Sequence, residues 1–430
     1  MKSEHIEAEQ VDIVTKDGHV WKGLLLPSSD ENVLTIKLKS GYNIGLDKKD
    51  LKSIKKLGKI SIPREQKKLR KDNSALPNIT ILHTGGTVAS EVDYVTGAVT
   101  PRFTPEELVA KVPELVDIAN IDAHLVSNMW SEDMRFAHYN VLAQEVEKEI
   151  KKGVQGIIIT HGTDTLHYTA AALSFMVQHC PIPVVLVGAQ RSSDRPSSDA
   201  ALNVLAAAYF IAQTDAAGVM VCMHKDADDD KCVILPGVNV RKNHTSRRNA
   251  FEVMNGLPIA EVSVVKKSVQ FLRHDHKKRH ANQPKIQLLN EKLKIGMLYA
   301  HPQMIRDDLT HFSSYDGLIV LALGLGQLPI NNNDKLTAEN GFIYKELAKL
   351  AKKIPVVFTA EALRGRINLQ VYSTGRRLLD LGIIGNYCDM LPETAFVKLA
   401  YLLSMKKSGN ELKQLMESNL VGEISSRSVL

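Results

Sequence analysis

An α/β body of two domains with parallel sheets, preceded by a small all-β, barrel-like domain, is the fold class this sequence predicts. Three observations carry it. Short strand-like runs separated by turn residues fill the first 40 positions. From Leu76 onward, apolar runs of strand length end in Gly- and Thr-bearing loops and alternate with helix-patterned stretches. A second set of such runs follows a basic stretch near residue 280. The length of 430 residues also exceeds the roughly 100–200 residues of one ordinary core.

The first strands are expected over Val11–Val14, Val20–Leu26 and Val33–Leu38. Asp17-Gly18 and Pro27-Ser28-Ser29-Asp30 separate them, and Ser40-Gly41-Tyr42-Asn43 follows the third. This spacing suits a small barrel of roughly 50–60 residues. The lysine-rich stretch from Lys48, with Pro63 and the run Lys67-Lys68-Leu69-Arg70-Lys71, reads as a linker, so residues 1–75 are assigned to the small domain plus a basic linker. In the domain expected over 76–268, Ile79–Leu82 runs into His83-Thr84-Gly85-Gly86-Thr87. Ile157–Thr160 runs into His161-Gly162-Thr163-Asp164, and Val184–Val187 into Gly188-Ala189. Helices are expected over Thr104–Lys111 and Ala137–Lys151, the second stopped by Lys151-Lys152-Gly153. Buried strands alternating with helices imply a parallel sheet covered on both faces. Residues 269–292 read as a basic inter-domain linker. Residues 293–430 form the last domain, with strands over Lys294–Tyr299, Gly317–Ala322 and Ile354–Thr359, and a helix after Pro392-Glu393-Thr394 that buries Ala395, Leu399 and Leu402.

The formal charge of +6 is local rather than general. Residues 48–72 carry eleven Lys/Arg against three Asp/Glu, and residues 266–280 carry six against one, which leaves the remainder at −7. The first basic stretch is either a solubilising segment or a nucleic-acid contact. Cys180, Cys222, Cys232 and Cys388 have no CxxC spacing for structural zinc and no disulfide framework. Met1–Gln10 is charged from its second residue and has no apolar core, so it is not a signal peptide. No window reaches the roughly 18–20 apolar residues of a membrane span. A soluble, cytoplasmic protein with no membrane association is expected.

Two loops share one design. Thr84-Gly85-Gly86-Thr87 and Thr160-His161-Gly162-Thr163-Asp164-Thr165 each follow a buried strand, where open α/β sheets bind ligands. Glycines let backbone approach a ligand and turn N–H groups toward a developing oxyanion. A threonine hydroxyl becomes a nucleophile when a base or cation activates it. GxxxxGK[ST] is absent, which disfavours a nucleotide phosphate loop. Each residue also has a plain alternative. Thr163 and Thr165 would cap the following helix, Lys242 is one of many lysines, and Tyr94 is a single loop tyrosine. His83 and His161 are read as packed neighbours of the loops, since no third metal ligand has suitable spacing, and no metal is expected. His274, His276 and His280 are read as part of a solvated loop.

The two loops together resemble the paired signatures of the bacterial-type L-asparaginase/glutaminase family. Trp130–Met134, Val187–Ala189, Asn239–Asn243 and Asp389–Ala395 extend the resemblance over about residues 76–410. It implies that Thr87 is the nucleophile that attacks a side-chain amide, assisted by Tyr94. Thr163, Asp164 and Lys242 would form the supporting proton-transfer group, with Lys242 as acceptor. Ser131, Glu132 and Asp164 would hold the α-groups of the substrate. Glu132 stands where free asparaginases usually have Gln.

A β domain and a basic linker ahead of such a body resemble the D-subunit family of archaeal glutamyl-tRNA(Gln) amidotransferases. Arg195–Ala200, Gly324–Pro329 and Tyr372–Leu379 add to that resemblance. It implies hydrolysis of glutamine or asparagine through a Thr87 acyl-enzyme, with ammonia passed to a partner E subunit. That partner would use ATP and Mg2+ to activate the glutamate on tRNA(Gln) and would hold most of the tRNA; this chain would need no cofactor. A homodimer of the chain within a heterotetramer is implied. The alternative is a stand-alone cytoplasmic L-asparaginase with an appended domain.

Overall fold

The computed structural model describes residues 6–26, 28, 30–39, 43–62, 73–86, 90–92, 99–101, 112–192 and 198–427. The expected helix over Thr104–Lys111 lies outside them.

The amino-terminal region is a five-stranded antiparallel sheet of β1 (Ile6–Thr15), β2 (Val20–Leu26), β3 (Val33–Leu38), β4 (Asn43–Asp47) and β5 (Leu51–Ile62), in the order β4-β3-β2-β1-β5. Alternate residues Val11, Ile13 and Ile36 face inward and are fully buried, and Trp21, Leu25, Leu34 and Leu46 pack around them. The basic stretch differs from its linker reading in one respect. Its first half is β5, which pairs antiparallel with β1 and has residues 52–59 exposed. Pairing with β1 uses backbone groups and needs no apolar side chain, and lysines on an edge strand protect it from further pairing. The strand is therefore hidden in a sequence window dominated by charge.

The central element is an eight-stranded sheet. It contains β6 (Asn78–Gly85), β9 (Asn120–Met129), β10 (Gly156–Thr160), β12 (Pro183–Val187), β13 (Gly218–His224), β14 (Lys231–Pro236), β17 (Ala260–Ser263) and β18 (Ser268–Phe271). Two-stranded pairs are formed by β7 (Ser90–Val92) with β8 (Val99–Pro101), by β11 (Val177–Gln178) with β19 (Lys285–Ile286), and by β15 (Val240–Lys242) with β16 (Phe251–Val253). The main sheet runs β18-β17-β14-β13-β12-β10-β6-β9. Strands β9, β6, β10, β12 and β13 are parallel, as expected, whereas β14, β17 and β18 return antiparallel, so the sheet is mixed.

Strand alternation sorts the core into two layers. Leu82, Ile157, Ile159, Val184 and Leu186 face α1 (Phe136–Lys151) and α2 (Leu166–Met176). Ile81, Ile158, Val185 and Val187 face α3 (Ala200–Gln213). The segment expected as a basic inter-domain linker, residues 269–292, is fastened to this body. His276 stacks on Phe271 at 4.1 Å and meets Asp215, and the Arg279 guanidinium donates to the carbonyls of Gln155 and Ile211. Lys285–Ile286 pairs with Val177–Gln178.

The last unit has a parallel sheet of β20 (Ile295–Tyr299), β21 (Gly317–Ala322) and β22 (Val356–Ala360). Its helices are α4 (Asp307–Thr310), α5 (Ala338–Lys353), α6 (Ser373–Asp380), α7 (Pro392–Ser404) and α8 (Gly409–Met416). In α7, Ala395, Leu399 and Leu402 are buried at helical spacing and belong to the same apolar cluster as α2. Tyr401 lies 5.8 Å from Phe175, and Phe396 lies 6.2 Å from Tyr168. The two α/β units thus share a core, which fixes the carboxy-terminal unit beside the loops of the central sheet. Among the described residues, no helix is long and apolar enough to cross a membrane.

Candidate active site

Loops leaving the carboxy-terminal ends of β6, β9, β10 and β12 meet at one place, and glycines set how closely they meet. Gly85 and Gly86 have φ of +103° and +78°, a region that favours glycine. A Cβ on Gly86 would overlap the backbone of Gly162, and a Cβ on Gly162 would lie 2.8 Å from the Ser131 hydroxyl. A Cβ on Gly188 would lie 2.8 Å from a Thr163 methyl. Hydroxyls tie the loops further. Thr84 donates to the Thr160 carbonyl at 2.9 Å, and Ser127 donates to the Thr84 carbonyl at 3.2 Å.

The histidines in these loops are internal supports. His83 Nδ1 is 2.5 Å from the Thr160 hydroxyl, and burial pushes its pKa down to about 4. His161 places Nδ1 2.7 Å from the Gly162 carbonyl and Nε2 2.9 Å from the Thr169 hydroxyl. Burial brings it to about 4 as well, so both rings are neutral near pH 7. Thr165 occupies the amino-terminal cap position of α2. Its hydroxyl, however, donates to the Ser131 carbonyl at 2.6 Å, so it braces a neighbouring loop instead of capping.

Lys242 reaches this cluster from the β15–β16 ribbon. Its ammonium donates to the Thr163 hydroxyl at 2.9 Å and to Asp164 Oδ1 at 2.7 Å. Thr163 is buried and the Lys242 side chain nearly so, while Asp164 opens to solvent. A lysine, a hydroxyl and a carboxylate joined this way can pass a proton from the hydroxyl through the amine, with the carboxylate orienting both. Ser131 is buried against Gly162, and the next residue, Glu132, is exposed. The structure therefore brings together Ser131, Thr163, Asp164 and Lys242, with Glu132 next to Ser131 in the chain and exposed. Thr87 and Tyr94 lie outside the described residues, although Gly86, the residue before Thr87, abuts Gly162.

Two supports were not singled out in the sequence. Asp199 is fully buried and accepts the N–H groups of Gln190 and Arg191 at 3.0 and 3.1 Å, while Asn203 donates to the Gly188 carbonyl at 2.9 Å. They hold the loop that backs Thr163. Arg241, beside Lys242, pairs with Glu393 of α7 at 3.2 Å. Asp199, Arg241 and Glu393 sit inside sequence segments that carry the family likeness and Asn203 lies just beyond one, but the roles of all four show only in the folded contacts.

Among the described residues, one group has metal-ligand types close together: Asp122, His124 and Glu149, near the opposite ends of the strands. The Lys152 ammonium already lies 2.6 Å from one Glu149 oxygen, and the Thr80 hydroxyl donates to the other at 2.9 Å. The Lys152 ammonium therefore already pairs with the buried carboxylate of this group.

Comparison with known proteins agrees with the geometry. Residues 78–277 match the family model described as Asparaginase, N-terminal, and residues 294–416 match the Glutaminase/Asparaginase C-terminal domain. Residues 8–57 match the GatD N-terminal domain. The D subunit of the glutamyl-tRNA(Gln) amidotransferase of Methanococcus maripaludis strain C6 is 45% identical over 413 residues, covering 94% of this chain and 95% of the relative. Its counterpart from Pyrococcus furiosus is 42% identical over 415 residues, with 94% and 91% covered. Among solved structures, the thermostable L-asparaginase from Thermococcus kodakarensis is 28% identical. It superposes with a TM-score of 0.70 over 81% of this chain and 99% of that one.

Proposed function

The chain belongs to the D-subunit family of glutamyl-tRNA(Gln) amidotransferases, whose body has the asparaginase/glutaminase fold, and we propose that it is the glutaminase subunit of such an enzyme. The observation that carries this reading is the Lys242 ammonium seated between the Thr163 hydroxyl and the Asp164 carboxylate, beside the Gly85-Gly86 turn. The full-length match, amino-terminal domain included, favours this reading over a stand-alone asparaginase.

In this reading Thr87 attacks the side-chain amide of glutamine, or of asparagine, assisted by Tyr94. The Thr163–Lys242–Asp164 group moves the proton to the departing ammonia, and an acyl-enzyme forms on the Thr87 oxygen. Water then releases the acid. Ser131, Glu132 and Asp164 hold the α-groups of the substrate, which gives the free amino acid its orientation before attack. Ammonia passes to an E-type partner subunit. That partner binds most of the tRNA(Gln) and uses ATP with Mg2+ to activate its glutamate. This chain supplies no cofactor, pairs with a second copy inside a heterotetramer, and works in the cytoplasm.

The test is a reconstituted complex supplied with Glu-tRNA(Gln) and ATP. Thr87→Val or Lys242→Ala is expected to abolish amidation with glutamine while leaving amidation with free ammonium salts intact. Equal loss of both activities overturns the division of labour. Rapid glutamine hydrolysis by the purified chain alone favours the asparaginase reading.

A further inference from the structure

The residue that completes the Thr163–Asp164 cluster does not belong to the main sheet. Lys242 ends β15, and the only ladder of β15 among the described residues is with β16, also outside that sheet. Polar ties to the flanks of this ribbon come from the carboxy-terminal unit. Thr394 donates to the Val238 carbonyl at 2.6 Å, Asn239 donates to the Gly422 carbonyl at 2.9 Å, and Asn255 donates to the Asp389 carbonyl at 2.8 Å.

One tie reaches the strand itself. Arg241 Nη1 lies 3.2 Å from Glu393 Oε1, and Glu393 is 6% exposed in the first turn of α7, where the helix dipole favours a carboxylate. Glu393 Oε2 is buried with no hydrogen-bond partner. His167 Nε2 is 3.9 Å from Glu393 Oε1, but burial and the cations of Arg241 and Lys242 push its pKa down to about 3, so it stays neutral. Among these neighbours Arg241 is the countercharge. Adjacent strand residues project to opposite faces, so an arginine held on one face fixes the direction of the lysine on the other.

We propose that Glu393, acting through Arg241, is the positioning residue that sets Lys242 against Thr163 and Asp164. The carboxy-terminal unit then completes a site whose other parts belong to the central sheet. The proposal rests on the glutaminase reading above and deepens it.

The experiment measures ammonia release from glutamine by the full chain assembled with its partner subunit, together with the thermal midpoint of each variant. Glu393→Gln and Arg241→Met are each expected to lower kcat about tenfold or more with KM changed less than about threefold. Arg241→Lys, which keeps a cation, is expected to recover part of the lost kcat. In the double variant no buried charge is left unpaired, so the thermal midpoint should return toward the wild-type value while kcat stays low. A wild-type kcat in both single variants overturns the proposal, as does a double variant that regains kcat along with its midpoint. If Glu393→Gln does not fold, Arg241→Met decides the matter alone, because its side chain is partly exposed. Lys242→Ala is measured beside them. Full activity there overturns the glutaminase reading together with the proposal, whereas an inactive Lys242→Ala with fully active pair variants overturns the positioning role only.

Discussion

The Lys242 ammonium lies 2.9 Å from the Thr163 hydroxyl although 79 residues separate the two in sequence. The hydroxyl has one anchored donor and little solvent around it, so its loss cannot be replaced by water without movement. Thr163→Val keeps the shape and removes the oxygen. Glutamine hydrolysis is expected to fall by about 10²–10⁴, the range of a lost proton-transfer group. Thr163→Ser should stay within about tenfold of wild type. Steady-state ammonia release measures both, and a valine variant with undiminished kcat would remove Thr163 from the proton path.

Contact between two loop backbones makes a second expectation. Any Cβ on Gly86 overlaps Gly162, and its φ of +78° already disfavours other residues. Gly86→Ala should destabilise by about 1–3 kcal/mol and spread the two loops. A shift near 1 Å in a reacting group costs on the order of 10²-fold in rate. Gly153 is the matched control, with φ of +86° and open space around it. Alanine there should cost about 1 kcal/mol and leave kcat unchanged. Urea unfolding and kcat, taken together for the two variants, separate local strain from loop displacement.

Apolar runs such as Ile157–Thr160 and Val184–Val187 made the parallel strands legible, because burial on both faces leaves a continuous hydrophobic signature. The candidate active-site loops were legible because the two occur as a pair at strand ends and together resemble the signatures of one family, whereas each glycine or threonine taken singly also has a structural reading. Strand β5 was not, because edge pairing uses backbone groups and its lysines mimic a linker. The antiparallel return of β14, β17 and β18 was also hidden, since pairing direction leaves no mark in a short apolar run. Arg241 and Glu393 are 152 positions apart, and no local pattern joins them.

Three buried histidines predict how stability varies with pH. His83 and His161 titrate near pH 4 and His167 near pH 3 in the folded chain, against about 6.5 when unfolded. Below pH 6.5 the unfolded chain therefore binds protons that the folded chain refuses. Stability is full above 6.5 and declines as pH falls through 4 toward 3, by roughly 3 kcal/mol each for His83 and His161 and roughly 5 kcal/mol for His167 at full extent. Replacing His161 with Asn should flatten the urea midpoint against pH between 6.5 and 4. An unchanged slope would show that His161 is not one of the residues responsible.

Burial of Lys398 with Glu423 anchors the carboxy-terminal tail. Their charged atoms are 2.6 Å apart and both side chains are fully enclosed. Lys398 also donates to the carbonyls of Met416 and Ser418, and Glu423 accepts the N–H groups of Leu420 and Val421. Glu423→Gln leaves a buried ammonium without its counterion and should cost about 3–5 kcal/mol. Lys398→Met combined with Glu423→Leu should lie much closer to wild type. Gly422, next to Glu423, accepts from Asn239 at the base of the Lys242 ribbon, so Glu423→Gln should also lower kcat. Chemical denaturation of the single and double variants, with kcat measured in parallel, tests both parts.

Lysines on β5 give the last expectation. Lys52 and Lys55 are exposed on an edge strand, and Lys56 forms an exposed pair with Glu9 at 2.9 Å, worth at most about 1 kcal/mol. Lys67 and Lys68 continue the basic run outside the described residues. We expect Lys55 and Lys56, together with Lys67 and Lys68, to approach the tRNA or the partner subunit in the assembled enzyme. Lys55→Ala with Lys56→Ala should weaken tRNA binding and reduce the slope of log K against log salt by about one for each phosphate no longer neutralised. Folding should be unaffected, since β5 is held through its backbone pairing with β1. Unchanged tRNA affinity and salt slope, with weaker binding of the partner protein, would assign this edge to the protein interface instead; no change in any of the three would leave it a solubilising strand.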